Sequence, residues 1–268
     1  MQYQFGDQDL AARRLEVVAQ VFEATTRQLL ETAGRRPGAL AVDLGCGPGF
    51  TTRLIAEVLG CQAVVGLDTS GRFLAMARRP DSSRLRFHQH DVLSTPFPEA
   101  PADLLFCRFL LSHLPDPGSC LEAWATQLRP NGLLVIEEVE AIQTTQAVFG
   151  RYLGIVESML KSQGTELYVG GALESLPDPA LLRGRLLRKR LSRAQRFPVS
   201  NRDAAAMFSM NVPNWKDRPF IRENFSADAI QNLEAGLRDL SSTDSTESAI
   251  TWTLRQMVFE RRPGSETE

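Results

Sequence analysis

The sequence predicts a doubly wound α/β fold, with a mostly parallel sheet and helices on both of its faces. Short apolar runs alternate with helical stretches between residues 39 and 140, and a glycine-rich turn follows the first run. Strands separated by helices are typical of a parallel sheet that is covered on both sides. With 268 residues, 43% of them hydrophobic, the chain is long enough to bury one such core.

The predicted elements follow in order along the chain. A leading helix is expected from Leu10 to Leu30, where apolar residues recur near helical spacing. Strands are expected at 39–44, 63–67, 85–90, 102–107 and 133–139, with helices at 51–59, 72–78 and 120–128. This rhythm defines a ligand-binding core at 39–140, preceded by a helical segment at 1–38.

The pattern changes after Glu140, because apolar residues from Val148 to Leu160 predict one long amphipathic helix. We interpret 141–182 as a helical lid inserted after the fifth strand; the alternative is a helix that only packs on the sheet. The remainder, 183–268, is expected to complete the sheet and to add helices near 200–210 and 227–240. Three aromatic residues in this part of the chain could form a wall for a flat substrate or could be ordinary core, namely Phe149, Tyr168 and Trp215.

The charge balance and the cysteine content indicate which binding partners and which cellular compartment to expect. Lys and Arg number 30 against 32 Asp and Glu, so no overall charge excess favours nucleic acid or an anionic membrane. No apolar stretch is as long as a membrane span. A signal peptide needs an uninterrupted apolar core, and charged residues interrupt the apolar positions among the first thirty residues. We therefore expect a cytoplasmic protein with four reduced cysteines. No metal site is expected, because His88, His90 and Asp91 lack a further ligand cluster.

The turn after the first strand has the spacing Gly-x-Gly-x-Gly, formed by Gly45, Gly47 and Gly49, with Asp43 just before it. Glycines there let the backbone turn sharply and let a ligand approach closely. A pyrophosphate would prefer helix N–H donors without a nearby carboxylate. Asp43 instead suits a ligand that carries an ammonium group and no phosphates.

S-adenosylmethionine is a ligand of this kind, and further strand ends offer partners for its remaining parts. Asp68 ends the second strand, where a carboxylate can accept both ribose hydroxyls. Asp91 follows the third strand and can accept from the adenine amino group, while Val92 packs on the ring. A single aspartate at a strand end is usually a helix cap or turn former. Three of them beside this glycine turn favour ligand binding.

Residues 40–140 resemble the class I S-adenosylmethionine-dependent methyltransferases. The stretch Asp43–Gly49 matches the family's first motif, Asp68 and Asp91 match its next acidic positions, and Asp103–Cys107 resembles its fourth strand. The turn into the fifth strand reads Pro-Asn-Gly at 130–132 instead of Pro-Gly-Gly, a change that costs little because Asn tolerates positive φ.

The resemblance implies a seven-stranded sheet, with the last two strands near 186–191 and 250–259. It also implies S-adenosylmethionine as cofactor, S-adenosylhomocysteine as product, and contacts from Arg108 to the methionine portion. The full set of residues expected to bind the cofactor is Asp43, Gly45, Cys46, Gly47, Gly49, Asp68, Thr69, Asp91, Val92 and Arg108.

Two residues are candidates for the transfer chemistry. His113 follows the fourth strand, and an ordinary imidazole with a pKa near ~6.5 could accept a proton from the acceptor; its alternative role is to cap the next helix or close the cofactor pocket. Glu137 and Glu138 lie at the end of the fifth strand, where alternation places them on opposite faces. At most one of the two should face the acceptor, and we favour Glu138.

The expected function is methyl transfer to a small molecule, at oxygen or nitrogen rather than carbon. One alternative is an RNA methyltransferase, because seven basic residues and no acidic one lie between Arg183 and Arg196; their alternation with leucines favours a solvated strand face. We also consider a protein that binds S-adenosylmethionine or its product without transfer, and a dinucleotide-dependent oxidoreductase. The oligomeric state stays open, with a homodimer among the options.

Overall fold

A computed structural model describes residues 9–34, 36, 39–78, 83–176, 186–243 and 247–263. The strands are β1 (Leu40–Leu44), β2 (Ala63–Asp68), β3 (Leu85–Gln89), β4 (Ala102–Arg108), β5 (Leu128–Thr144), β6 (Leu187–Val199) and β7 (Ile250–Arg261). The helices are α1 (Asp9–Val21), α2 (Glu23–Ala33), α3 (Phe50–Leu59), α4 (Gly71–Ala77), α5 (Pro117–Ala125), α6 (Ala147–Lys161), α7 (Val169–Ser175), α8 (Asn201–Ser209), α9 (Pro219–Asn224) and α10 (Ala227–Ser242).

The strands form one seven-stranded sheet in the order β3-β2-β1-β4-β5-β7-β6. Neighbouring strands from β3 to β5 pair in parallel, whereas β7 runs antiparallel to both β5 and β6. The predicted α/β class, the seven strands and the mostly parallel sheet are therefore confirmed. The carboxyl ends of β1, β2 and β4 meet at one edge, the edge at which open α/β sheets hold their ligands.

Two predicted helices differ from the structure. The expected leading helix is two helices, α1 and α2, because Phe22 leaves helical geometry at φ −98° and ψ 9°. Apolar spacing continues across this break, so the sequence pattern alone could not detect it. α5 begins at Pro117 rather than at Cys120, because the Asp116 side chain accepts hydrogen bonds from the amides of Gly118 and Ser119 and so caps the helix there.

The Pro-Asn-Gly segment at 130–132, which lies near the start of β5, supports the expectation about its asparagine. Asn131 has a φ of 63°, a left-handed conformation that Asn adopts more readily than most residues. A side chain at Gly132 would lie 2.8 Å from the carbonyl oxygen of Arg129, so this position requires glycine. The change from Pro-Gly-Gly to Pro-Asn-Gly thus keeps the residue type that the packing demands.

A layer of helices covers the ligand edge of the sheet, and we call α1, α6 and α8–α10 the cap. Their apolar side chains pack together with Phe22 and with Trp252 of β7 in one buried cluster. The cap therefore extends beyond the lid expected at 141–182, because α8, α9 and α10 between β6 and β7 also belong to it. Helix α6 does more than pack on the sheet, since its side chains also line the cavity described below.

All four cysteines are buried and unpaired, namely Cys46, Cys61, Cys107 and Cys120. Among the helices that the structure describes, none is both long enough and apolar enough to span a bilayer.

Candidate functional site

A cavity of about 370 Å³ lies between the carboxyl ends of the strands and the cap. Its volume falls within the range of small-molecule sites. We call the part lined by strand-end residues the loop end; these residues are Gly45–Pro48, Phe50, Thr51, Asp68–Ser70, Phe73, His90–Leu93, Arg108, Leu110 and Ser112–Leu114. The remaining lining we call the cap end; it comprises Arg14, Leu15, Val18, Phe22, Phe109, Val139, Ile142, Tyr152, Leu153, Val156, Gln163, Thr165, Leu167, Met207, Phe208, Asn211 and Trp252.

The glycine turn passes along the loop end in the left-handed conformation that its spacing suggests. Gly45 has a φ of 68° and Gly47 a φ of 52°, and both line the cavity together with Cys46. Gly49 does not line it, contrary to expectation. It precedes α3 with a φ of 80°, and a side chain there would lie 2.9 Å from the Phe87 ring. Gly49 is therefore required by packing and backbone conformation rather than by ligand contact.

Asp43 is also placed differently from the expectation. Its side chain is buried, accepts a hydrogen bond of 2.7 Å from Thr52 and does not line the cavity. Burial raises the pKa of Asp43 to about 7, although the Thr52 hydrogen bond and the nearby Arg108 charge oppose this shift. The expected direct contact with an ammonium group is corrected accordingly: the Asp43 carboxylate binds Thr52 in the first turn of α3.

Asp68 lies on the cavity wall at the end of β2. Its carboxylate accepts hydrogen bonds of 2.8 Å from the amide of Gly47 and from the amide of Ser70. These bonds tie the glycine turn to the end of β2 and fix the direction in which the carboxylate points. Thr69, the next residue, lines the cavity as well.

Asp91 and Val92 line the cavity beyond the end of β3. Asp91 is exposed, and its carboxylate accepts a hydrogen bond of 2.9 Å from the amide of Leu93, which closes a local turn. Val92 is buried, and its carbonyl accepts a hydrogen bond from the indole of Trp124. The loop end therefore places an accessible carboxylate beside an immobilised apolar side chain.

Arg108 contributes a cation to the loop end, and its charge is matched within the protein. It donates a hydrogen bond of 2.9 Å to Thr26 and lies next to Glu137 in the pairing of β4 with β5. Burial lowers the pKa of Arg108, and the charges of Glu137 and Asp43 oppose that change. Arg108 is therefore a cavity-lining cation held in place by buried acidic neighbours.

His113 lines the cavity at the end of a short 3-10 turn, Leu111–His113. Burial lowers its pKa to about 4, and the positive charge of Arg14 acts in the same direction. The ring is therefore neutral at physiological pH. The ordinary imidazole pKa that the sequence suggested is corrected to a lower value.

Glu138 does not line the cavity, so the expectation that it faces an acceptor is wrong. Its carboxylate is fully buried and accepts hydrogen bonds of 2.7 Å from the amides of Leu110 and Leu111. Burial raises its pKa to about 7 against the effect of these bonds. Glu137 points the other way, as strand alternation predicts, and it binds Thr26 and Gln256. Glu138 therefore shapes the loop that carries His113.

Of the three aromatic residues that could form a wall or be ordinary core, Phe149 and Trp215 belong to the core. Phe149 and Trp215 are fully buried, and neither they nor Tyr168 line the cavity. The cap end instead presents Phe22, Phe109, Tyr152, Phe208 and Trp252. Tyr152 lies within the amphipathic helix predicted over Val148 to Leu160, and its hydroxyl on an otherwise apolar face is the signal that could have identified it.

Two more sequence patterns do not form the sites that they could suggest, a metal site and a basic surface beside the cavity. His88 contacts Glu99, His90 contacts the Ser94 carbonyl, and no metal-binding cluster is present within the described residues. In the basic run, Arg188 and Arg190 contact Glu260, Arg193 donates to Gln256, and none of the three lines the cavity. Arg183 and Arg185 lie outside the described residues.

Comparison with known proteins identifies residues 42–136 as matching a family described as a methyltransferase domain. Trans-aconitate 2-methyltransferase of Methylobacterium nodulans is 44% identical over 99 residues, which are 37% of this chain and 38% of that protein. A second such enzyme, from Azoarcus, is 37% identical over 111 residues, covering 41% of this chain and 43% of its own length. The chain thus matches less than half the length of these relatives.

Solved structures share the fold over nearly the whole chain. A methyltransferase in complex with the Trm112 activator of Haloferax volcanii covers 98% of this chain and 100% of its own, with a TM-score of 0.59 and 17% identity. A Haemonchus contortus phosphoethanolamine N-methyltransferase in complex with S-adenosyl-L-methionine covers 98% of this chain and 58% of its own, with a TM-score of 0.56 and 17% identity. At this identity the likeness concerns the fold.

Proposed function

We propose that this chain, whose residues 42–136 match a methyltransferase-domain family, is a class I S-adenosylmethionine-dependent enzyme that methylates a small molecule. The observation that carries the proposal is a single cavity that joins the loop end, with its glycine turn and carboxylates, to an apolar cap end. Such a cavity can hold a polar donor and an enclosed acceptor side by side. We further propose a cytoplasmic location, which suits the four unpaired thiols.

The donor set of the loop end fits S-adenosylmethionine. Asp68 and Asp91 are acceptors on the cavity wall, suited to hydroxyl and amino groups, and Val92 offers an apolar surface to a ring. Gly45, Cys46, Gly47 and Thr69 provide backbone and small side chains along the cavity, and Arg108 suits a carboxylate. Two cavity-lining carboxylates and the buried Asp43 make the site unfavourable for a pyrophosphate.

When bound, S-adenosylmethionine supplies a methyl group that its positive sulfur already activates. The protein then has to align the acceptor and exclude water. The cap end encloses the space beside the loop end, and His113 lies on the wall of the cavity. With a pKa of about 4, neutral His113 is a weak base. We therefore assign it mainly the role of accepting a hydrogen bond that the methylated small molecule donates.

The test is a calorimetric titration with S-adenosylmethionine, S-adenosylhomocysteine and NAD, repeated with Asp68→Ala. We expect the first two to bind, with at least ~10-fold weaker binding in the variant, since a ribose contact and an anchor of the glycine turn are lost. Asp103→Ala is the matched control, because Asp103 binds Leu40 and Arg129 and does not line the cavity. Binding of NAD alone would refute the proposal.

Transfer is tested separately, with a labelled methyl group and a panel of hydroxyl and amine acceptors. Incorporation into any of them supports the enzyme. Tight cofactor binding with no incorporation across the panel would favour a protein that binds the cofactor without methylating. Binding of RNA with steep salt dependence would favour an RNA methyltransferase.

A further inference from the structure

The side chain of Asn211 is a buried polar group on the wall of the cap end. Asn211 follows α8, is 2% exposed and lines the cavity. Its side-chain amide donates a hydrogen bond of 2.7 Å to the hydroxyl of Tyr152. Its Oδ1 oxygen has no hydrogen-bond partner within the described residues. A buried acceptor without a partner is costly, which makes it a candidate contact for a ligand.

The surroundings of Asn211 are apolar and aromatic. Tyr152 and Phe208 stack with their ring centroids 4.0 Å apart, and Trp252 lies 5.9 Å from Phe208. Val156 and Met207 extend this surface, and both line the cavity. A ligand in this region would bury apolar surface against rings, a contact that is favourable for an apolar or aromatic skeleton.

Charge in the cavity does not suit a ligand with several carboxylates. Of the described Lys and Arg residues, Arg14 and Arg108 line it, and of the carboxylates Asp68 and Asp91 do. Arg108 is further compensated by Glu137 and Asp43. The cavity therefore has no surplus of cations, and burying a polyanion among aromatic rings would cost its hydration without sufficient pairing.

We propose that the acceptor is an uncharged, largely apolar small molecule carrying one hydroxyl or N–H group that donates to Asn211 Oδ1. This inference deepens the proposed function and rests on it, because only in a methyltransferase does the molecule bound at Asn211 receive a methyl group. It separates this chain from relatives named for trans-aconitate, whose similarity covers 37% of the chain. In this proposal Asn211 determines specificity, because a molecule without the donor leaves its oxygen unpaired.

The test is calorimetric titration with three probes, each with and without S-adenosylhomocysteine. The probes are para-propylphenol, its analogue para-propylfluorobenzene, which has no donor, and trans-aconitate. We expect the phenol to bind about 10-fold more tightly than the fluoro analogue, the effect of one hydrogen bond to a buried group, and trans-aconitate not to bind. A phenol that fails to bind, equal binding of the two aromatic probes, or tighter binding of trans-aconitate would overturn the proposal.

Variants assign the effect to one side chain. Asn211→Leu should bind the two aromatic probes equally, while Asn214→Leu should keep the preference of the unmodified protein. Asn214 lies one turn further along, contacts the Met210 carbonyl and does not line the cavity. Retained S-adenosylhomocysteine binding in Asn211→Leu shows that the variant is folded; a retained phenol preference in that variant refutes the role of Asn211. Failure of S-adenosylhomocysteine to bind the unmodified protein, with the probe preference intact, would refute the methyltransferase function and leave the Asn211 contact standing.

Discussion

Thr26 on α2 donates a hydrogen bond of 2.5 Å to the buried carboxylate of Glu137 on β5, 111 residues further along the chain. The same hydroxyl accepts a hydrogen bond of 2.9 Å from Arg108. One threonine thus connects the N-terminal helices to the sheet and to a cation that lines the cavity. No spacing rule in the sequence links these three positions.

Thr26→Val should therefore destabilise the fold more than the same change at a neighbouring threonine. The change removes the donor to one buried oxygen of Glu137 and the acceptor for Arg108, while Gln256 still binds the other Glu137 oxygen. We expect a loss of about 2–3 kcal/mol of unfolding free energy. Thr25→Val is the control, because Thr25 is also buried but its hydroxyl donates to the Phe22 carbonyl one turn back; the change should cost under ~1 kcal/mol. Urea unfolding measures both, and equal losses would contradict the connection.

Gly49→Ala should separate steric conflict from backbone strain when it is compared with Gly164→Ala. Both glycines have positive φ, 80° and 74°, but a side chain at Gly164 meets nothing within 4 Å. Strain alone should cost about 1–2 kcal/mol at Gly164. The contact with Phe87 at Gly49 should bring the cost there to roughly 2–5 kcal/mol. Thermal and denaturant unfolding test the difference; a Gly49 variant no less stable than the Gly164 variant would contradict the packing.

Glu138→Gln should change how stability depends on pH. The folded-state pKa of Glu138 is raised to about 7 from 4.5, so its contribution is fully present at low pH and is lost as pH rises through 7. Glutamine keeps the shape and does not titrate. The stability of the unmodified protein relative to the variant should fall by roughly 1–3 kcal/mol between pH ~5 and ~8.

Unfolding curves of both proteins across that range provide the measurement. Asp43 and His113 also titrate with shifted pKa values, but they are present in both proteins and cancel in the difference. A difference that is constant with pH, or that rises with it, would show that Glu138 is charged throughout.

His113 should remain neutral over the whole physiological range. Its pKa is lowered to about 4 by burial and by Arg14, so its ring signals in an NMR titration should not move between pH ~6 and ~8. The signals that disappear in His113→Asn assign the residue. In Arg14→Gln one of the two causes is removed, and the midpoint should shift upward. A His113 midpoint near the ordinary imidazole value in the unmodified protein would contradict the buried placement.

The core between residues 39 and 139 was predictable because its signals are local. Alternating apolar runs and helices indicated its strands, and the acidic residues that end β2 and follow β3 lie at the cavity as expected. Strand alternation also placed Glu137 and Glu138 on opposite faces. Strand alternation did not predict that the loop after β4 folds back over Glu138. In that loop Phe109 adopts a φ of 52°, a conformation that no residue pattern in the sequence indicates.

The cap end was not predictable from local patterns. Asn211 and Tyr152 are 59 residues apart, and their contact depends on how α6 and α8 pack. Periodicity marked α6 as amphipathic without showing which of its rings would face a ligand. β6 was also longer than predicted, 187–199 rather than 186–191, because its alternating basic and apolar residues pair along β7 over the full length.

The two ends of the cavity come from different parts of the chain. The stretch that matches the methyltransferase domain, 42–136, supplies the whole loop end, and every cap helix lies outside it. In the proposed function, the residues that hold the methyl donor and the helices that enclose the acceptor therefore come from separate parts of the chain. A match over 42–136 accordingly compares the loop end and leaves every cap helix uncompared.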